Sequence, residues 1–349
     1  TPYLERPNKY VEGNTAWQDM FVDGILDAVR APDGRIYVIP ADGVGVGIYY
    51  NKTIFAEVGV EPPTTWSEFL AIQEKIKDAG YIPFVIQAGP QNVYMHWVDG
   101  ILQSQLIYDK IDKWDTNGNG FLDIPEICLA IDEGTFPDVD TMKNMWHLVK
   151  EWSQYWPKGF TSDIDILQTF AAGQGAMMLE GSWAVQMLKG LDPDFEVGVF
   201  QVPVITKDLV PEASEVPIRI YGPWGPAQWI IPGYLPENRV EATIDWLMYL
   251  SRPDNIAEMA NDHGGAIPNI SMAADAVSPE LSGFMEEIPT QVIQGFGGVI
   301  DKTFEDRYYS VIQLYLSGSM DMDQFAEQSL RYYKEGAKRM LRLNPEWKE

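Results

Sequence analysis

Short apolar runs bounded by glycine or proline alternate along this chain with longer stretches whose apolar residues recur every three or four positions. The runs at 44–50 (VGVGIYY), 82–87 and 176–179 are typical of buried strands. Residues 137–156 show the strongest helical period, with methionines and tryptophans on one face and Pro157 at the end. We interpret that tryptophan stripe as core packing. Strands that alternate with helices predict an α/β fold with largely parallel sheets.

The segment 170–183, FAAGQGAMMLEGSW, combines a predicted buried strand with residue types that suit a polyhydroxylated ligand. Its apolar run ends at Glu180, Gly181 and Trp183, and open α/β folds bind ligands at the carboxyl ends of strands. An aromatic face covers the apolar C–H surface of a sugar, a carboxylate accepts hydroxyl hydrogen bonds, and glycine permits close approach. Spacing alone leaves open whether Trp183 contacts a ligand or is the first core residue of the helix 184–189.

Two further places carry candidate ligand-binding side chains. Asp42 lies in a turn predicted between the strands 35–40 and 44–50, where it either shapes the turn or contacts a ligand. The loop and helix start that follow the predicted strand 82–87 supply a second group, rich in aromatic and hydrogen-bonding side chains: Asn92, Tyr94, His96 and Trp97. For each member of this group, core packing is the alternative interpretation.

Residues 115–126, DTNGNGFLDIPE, match an EF-hand calcium loop at each diagnostic position. Oxygen donors occupy the ligand positions, glycine occupies the sharp turn, and Leu122 occupies the position that predicts apolar packing. The predicted ligands are Asp115, Asn117, Asn119, the carbonyl of Phe121, Asp123 and Glu126. Pro125 is unusual inside such a loop. Because there is one loop and not a pair, the sequence favours one structural calcium ion over a cytosolic sensor. The alternative is a turn without metal.

Charge and missing motifs narrow the classes of function. The 51 acidic residues against 25 basic ones give a formal net charge of −26, which argues against a nucleic-acid partner because phosphate binding needs clustered Lys and Arg. The sequence contains no nucleophile elbow, Walker loop or zinc motif. Carboxylates such as Asp42 and Glu180 leave a secreted, calcium-stabilised carbohydrate-active enzyme as the alternative function. A third hypothesis is an interaction module in which the calcium loop imitates half of a dockerin.

Four segments, in the same order along the chain, together match a known family. They are 33–69 (DGRIYVIPADGVGVGIYYNKTIFAEVGVEPPTTWSEF), 170–183, the strand and helix at 228–253 with the DNIAEMA continuation, and the C-terminal helix pair. This chain resembles the family 1 extracellular solute-binding proteins of ABC importers, the maltose-binding-protein-like group. The resemblance implies a periplasmic-binding-protein-like fold of two doubly wound lobes, joined by a hinge with a ligand cleft between them. It assigns residues 1–49 and 228–298 to lobe 1, and residues 50–227 and 299–349, with the calcium loop, to lobe 2.

The resemblance also implies roles for the candidate residues. Trp183 is expected to stack on a sugar, with Tyr94 and Trp97 as aromatic neighbours. By the same resemblance, the ligand cleft is also lined by Asp42 and by the loops that contain Trp224, Gly264 and Gly265. Hydroxyl hydrogen bonds are expected from Asp42, Glu180, Asn92 and His96. The implied function is capture of a mono- or oligosaccharide by hinge closure and its delivery to a membrane permease, without enzymatic activity, by a monomer that is secreted or lipid-anchored.

Two features depart from the family pattern. The calcium loop 115–126 is an insertion that most members lack, so the family implies no role for it. Members also carry a further N-terminal segment, and the first residues here, TPYLERPNKY, lack the pattern of a signal peptide. We therefore expect that the N-terminal part of lobe 1 is missing from this sequence.

Overall fold

The computed structural model is an α/β fold of helices packed on short strands, as the sequence predicts. It describes residues 3–13, 15–31, 33–89, 93–118, 120–223, 225, 227–271, 273, 283–284 and 300–348. The strands are Ile39–Pro40 (β1), Asp42–Asn51 (β2), Ile82–Val85 (β3), Gly175–Gly181 (β4), Val197–Phe200 (β5), Ile220–Gly222 (β6), Gln228–Trp229 (β7) and Ile267–Pro268 (β8).

The helices connect and cover these strands. They are Ile25–Ala28 (α1), Lys52–Val58 (α2), Trp66–Asp78 (α3), Val93–Ile107 (α4), Ile124–Glu133 (α5), Val139–Trp152 (α6), Ile166–Ala171 (α7), Ala184–Leu191 (α8), Glu237–Leu250 (α9), Pro253–His263 (α10), Lys302–Leu316 (α11) and Met322–Leu343 (α12). Short 3-10 helices span Trp17–Met20, Tyr108–Lys113, Ser153–Tyr155 and Pro345–Lys348. Among the described residues, none of the helices has both the length and the apolar character needed to cross a membrane.

The chain packs into two compact units. Unit 1 consists of Thr1–Gly47, Glu180–Asp192 and Tyr221–Glu287. Unit 2 consists of Ile48–Leu179, Pro193–Ile220 and Ile288–Glu349. The segment 180–192 therefore packs in unit 1, whereas the division drawn from the resemblance assigns it to lobe 2. Hydrogen bonds explain this packing, because the Ser182 amide donates to the Gly45 carbonyl (2.8 Å) and the Ser182 hydroxyl donates to the Gly265 carbonyl.

The strands of unit 2 form a mixed sheet rather than the largely parallel one that the sequence predicts. Their order is β3-β4-β2-β5. β3 pairs in parallel with β4, with Ile82 opposite Gly175. β5 pairs antiparallel with β2, with Ile48 opposite Phe200. Alternation of strands and helices along the chain does not reveal the direction of a partner strand, and antiparallel strands on otherwise parallel sheets are common in this class of fold.

Unit 1 is built on antiparallel pairs. β1 pairs with β7, with Ile39 opposite Trp229, and the first residues of β2 pair with β8, with Asp42 opposite Pro268. Asp42 is therefore the first residue of a strand, and the predicted turn at 41–43 is wrong. Pairing with a strand more than 200 positions away overrides the local turn preference of the Asp-Gly dipeptide. The core of this unit gathers apolar residues from distant parts of the chain, including Trp17, Phe21, Ile36, Leu247 and Ile270.

Aromatic side chains fill the core of unit 2. Trp152 of α6 contacts Phe84 (ring centroids 4.8 Å apart) and Trp156 (5.0 Å) edge to face, the geometry that aromatic pairs prefer. Its indole N–H donates to the Gln73 side-chain oxygen at 3.0 Å, so the buried polar atom is paired. The inward face of α6 is buried throughout, which confirms that the tryptophan stripe at 137–156 is core.

Asp301 joins the two C-terminal helices, α11 and α12. Its carboxylate caps α11 by accepting the Phe304 amide (2.6 Å), and it accepts two hydrogen bonds from the Arg339 guanidinium of α12 (2.7 and 2.8 Å). Burial raises the pKa of Asp301, but the hydrogen bonds from Arg339 and from the backbone outweigh it and hold the pKa below its usual value. The ionised carboxylate is thus favoured by folding.

We predict that Asp301→Asn lowers the free energy of unfolding at pH 7 by about 1–3 kcal/mol, because charge-assisted hydrogen bonds are replaced by neutral ones. The folded pKa is lowered, so this stabilisation is present above the unfolded pKa of about 4 and is lost as the pH falls through the folded value. Denaturant titrations at pH 7, 5 and 3 should therefore show a shrinking difference from wild type. Asp306→Asn, in the exposed pair with Lys302, is the control. A difference that stays constant down to pH 3 would contradict the assignment.

Candidate functional site

The turn that follows β4 carries a partly exposed tryptophan. Trp183 is the residue that precedes α8, and 39% of its surface is exposed. The core residues of that helix are Ala184, Val185 and Leu188. The indole lies directly on Gly181, where an added Cβ would stand 2.2 Å from its Cη2 atom. The structure therefore places Trp183 outside the core of α8. Its stacking on a ligand stays a prediction.

Hydrogen bonds fix the backbone of this turn. The buried Glu180 carboxylate accepts the amide of its neighbour Gly181 (2.9 Å). Ser182 is fully buried, and its amide and hydroxyl donate to the carbonyls of Gly45 and Gly265. These hydrogen bonds hold the turn in place, and sugar binding by Glu180 stays a prediction. Ser182 is a part of the site that the sequence analysis did not select, and its place between two candidate residues was the available signal.

Two glycines bring another loop against the turn. Gly264 ends α10 with a φ of +63°, a conformation that favours glycine, and a Cβ there would meet the Gln186 side chain. A Cβ on Gly265 would lie 2.3 Å from the Cα of Trp183 and 2.6 Å from the Ser182 carbonyl oxygen. Both positions thus require glycine. The structure brings together five of the predicted site residues: Glu180, Gly181, Trp183, Gly264 and Gly265.

Asp42 is hydrogen-bonded to a second loop of unit 1, which contains Gly225 and Ala227. Its buried carboxylate accepts the Ala227 amide at 2.8 Å, and a Cβ on Gly225 would lie 2.2 Å from the same oxygen. The sequence analysis overlooked the fully buried Asn269 nearby, which accepts the Tyr221 hydroxyl (2.6 Å) and donates to the Pro40 carbonyl (3.1 Å). The available indication of Asn269 in the sequence was its place as a polar residue directly after a short apolar run. The predicted Trp224 lies outside the described residues.

The second aromatic group opens helix α4 in unit 2. Tyr94 and Trp97 meet edge to face, with ring centroids 5.3 Å apart at 87°. Tyr94 is half-buried, whereas Trp97 is only 8% exposed. Burial lowers the pKa of the half-buried His96, and the charge of Glu305 opposes this shift. The imidazole is therefore neutral at pH 7. Asn92 lies outside the described residues, and ligand binding by this group stays a prediction.

Residues 115–126 lead from a 3-10 helix into helix α5. α5 begins at Ile124, capped reciprocally by Asp123 and Glu126, with Pro125 in the first turn, where proline is tolerated. Leu122 is buried, which confirms the prediction of apolar packing there. A 3-10 helix, rather than an α-helix, precedes the loop. Asn119 lies outside the described residues.

Hydrogen bonds from backbone amides and from side chains hold the carboxylates of this loop. Asp115 accepts the Gly118 and Gly120 amides at 2.7 and 2.8 Å, and Glu126 accepts the Thr116 amide at 2.6 Å. Carboxylate and amide oxygens are the hard ligands that calcium requires. Within the described part of the chain, no three His, Cys, Asp or Glu side chains stand close enough to hold one metal. The chemistry fits calcium, and binding stays a prediction.

Comparisons with known sequences identify the family of this chain. A family model described as bacterial extracellular solute-binding protein matches residues 3–285. A multiple sugar-binding protein of Streptococcus mutans is 32% identical over 175 residues, 48% of this chain and 39% of that protein. A putative ABC transporter periplasmic-binding protein of Escherichia coli, YcjN, is 23% identical over 301 residues, 81% of this chain and 62% of that protein. This chain thus spans less than two thirds of the length of either relative.

Solved structures agree on the fold. A chitin oligosaccharide binding protein matches 92% of this chain and 76% of its own, with a TM-score of 0.67 and 19% identity. A sugar transporter protein of Bacillus licheniformis in complex with stachyose matches 93% and 80%, with a TM-score of 0.66 and 16% identity. These relatives are named as binding or transport proteins, not as enzymes. Because the family model covers most of the chain and the fold agrees with it, the protein belongs to the bacterial extracellular solute-binding proteins.

Proposed function

We propose that this chain is the carbohydrate-binding part of a receptor that captures a mono- or oligosaccharide by hinge closure and delivers it to the permease of an ABC importer. The observation that carries this proposal is the exposed Trp183 indole, supported by glycine in the turn after β4. The relatives named for sugars and the neighbours named for oligosaccharides support it. As a receptor the protein is a monomer, has no enzymatic activity, and acts outside the cell, free or lipid-anchored.

Two acidic residues of unit 1 favour a neutral ligand. Asp42 and Glu180 are both buried carboxylates of unit 1, and the whole chain carries a net charge of −26. Carboxylates and a negative field repel a phosphate ester. Some relatives are named for sn-glycerol 3-phosphate, so the charge of the ligand is a point on which this chain can differ from them.

We predict that calorimetric titration with mono- and oligosaccharides finds a ligand, and that Trp183→Ala weakens its binding roughly 10- to 100-fold. The reason is lost contact with an aromatic face, worth about 1.5–3 kcal/mol. The matched control is Trp246→Ala, because Trp246 is a second exposed tryptophan of unit 1 and lies on α9.

Three outcomes of that titration would count against the proposal. The first is the absence of binding across the sugar panel. The second is tighter binding of sn-glycerol 3-phosphate than of any sugar. The third is equal loss of affinity in Trp183→Ala and in Trp246→Ala. Incubation with polysaccharides tests the alternative of a secreted enzyme, since a receptor releases no new reducing ends and a glycosidase does.

We also propose that residues 115–126 bind one structural calcium ion. The match of the sequence to the calcium loop supports this, as do the buried Leu122 and the capped start of α5. The ligands are Asp115, Asn117, Asn119, the carbonyl of Phe121, Asp123 and Glu126. Calcium supplies two positive charges to a loop whose carboxylates otherwise accept hydrogen bonds from neutral groups. Extracellular sites of this kind bind at about 10⁻⁴–10⁻³ M.

We predict that calcium at about one hundred times its Kd raises the free energy of unfolding by about 2.7 kcal/mol relative to a chelator. Asp115→Ala should remove this calcium-dependent difference. Asp112→Ala should keep it, because Asp112 is an exposed carboxylate just before the loop. Melting temperatures in calcium, magnesium and chelator provide the measurement. Equal melting temperatures in calcium and chelator for the wild type would leave the loop as a turn without metal.

A further inference from the structure

The Trp183 indole occupies the space in which any side chain at Gly181 would begin. A Cβ built on Gly181 would lie 2.2, 2.3 and 2.4 Å from Cη2, Cζ2 and Cζ3 of the ring. Carbon atoms that are not bonded to each other normally stay about 3.5–4 Å apart. These similar distances to three consecutive ring atoms place the added Cβ over the face of the six-membered ring. That face therefore packs on the bare Cα, and no other residue type at position 181 is compatible with that ring position.

We propose that Gly181 is a positioning residue that sets the pose of the Trp183 indole and, through it, the affinity for sugar. This inference rests on the proposed function, because the pose matters for binding only if Trp183 stacks on the ligand. The effect is steric: the missing side chain lets the ring lie on the end of β4, while 39% of the Trp183 surface stays exposed. A flat, supported ring is a platform for the apolar face of a pyranose.

A side chain at position 181 would displace the ring rather than the backbone. Gly181 is buried at the end of β4, and its amide donates a hydrogen bond to the Glu180 carboxylate. The amide and the hydroxyl of the next residue, Ser182, donate hydrogen bonds to the carbonyls of Gly45 and Gly265. The indole, in contrast, is the far end of a partly exposed side chain. It has to move by about 1 Å or more to restore normal contact distances.

The other two glycines near the turn behave differently. A Cβ on Gly265 would meet the backbone of Ser182 and Trp183, and one on Gly264 would meet the Gln186 side chain from a left-handed backbone conformation. Substitution of either glycine strains the backbone itself. Among these three glycines, Gly181 is the one at which an added side chain would clash with the aromatic ring. A substitution of Gly181 can therefore alter ligand binding while the fold is kept.

The test combines a spectroscopic readout with a double-mutant cycle. The full chain is labelled with 5-fluorotryptophan, and the Trp183 resonance among the 12 tryptophans is assigned with Trp183→Phe. Gly181→Ala is compared with Gly190→Ala, a control glycine of α8 whose added Cβ would have open space around it. Calorimetry then measures the affinity for the best sugar of the panel in wild type, Gly181→Ala, Trp183→Ala and the double variant.

We expect Gly181→Ala to shift the Trp183 fluorine resonance without ligand and to weaken sugar binding at least 5-fold, whereas Gly190→Ala does neither. In the Trp183→Ala background, Gly181→Ala should change the affinity less than 2-fold, because the ring it displaces is gone. The double variant should also melt at the temperature of Trp183→Ala, which keeps the test decisive if Gly181→Ala alone folds poorly.

An unmoved fluorine resonance, or the same loss of affinity in both backgrounds, would overturn the positioning role. Failure of the proposed function is distinguishable from these results. If the wild type binds no sugar, the receptor proposal and the effect of Gly181 on affinity are both refuted. The fluorine spectrum still decides whether Gly181 sets the pose of the ring.

Discussion

Both units depend on the backbone hydrogen bonds of one strand, β2. Most of its residues are buried, and a buried N–H or C=O group that lacks a partner costs free energy comparable to a lost hydrogen bond. In unit 1 the start of β2 pairs with β8, and in unit 2 its end pairs with β5. Glycine is required at position 43 of β2, because a Cβ there would lie 2.5 Å from the Gly222 carbonyl oxygen.

Glycines that pack closely because they lack a side chain also determine the structure of the candidate site. Gly265 lies against the backbone of Trp183, and Gly181 lies under its ring. Ser182, between them, is fully buried and hydrogen-bonded on both sides. One large aromatic side chain is thereby left partly exposed at the end of a strand that is otherwise buried. We infer that this rigid support, rather than the tryptophan alone, makes the turn suitable for a sugar, since a preformed surface loses little entropy on binding.

Periodicity predicted the parts of the fold that depend on local burial. The α/β class and the buried face of α6 are confirmed because both follow from the spacing of apolar residues. The burial of Leu122 is confirmed as well, and it follows from the position of Leu122 in the calcium-loop pattern. Strand direction and the place of Asp42 were predicted wrongly, because both are decided by pairing between distant segments. The contact of Gly265 with Trp183 joins residues more than 80 positions apart, and no local pattern contains that information. The family resemblance named both residues, but the physical relation between them came from the structure.

Trp183 is the proposed platform for a carbohydrate. A crystal structure of the protein grown with the tightest-binding sugar of the panel tests this claim most directly. We predict a pyranose ring whose apolar face lies parallel to the exposed indole surface of Trp183, with carbon atoms at about 4 Å. Sugar bound elsewhere, with the Trp183 ring free of contact, would contradict the account.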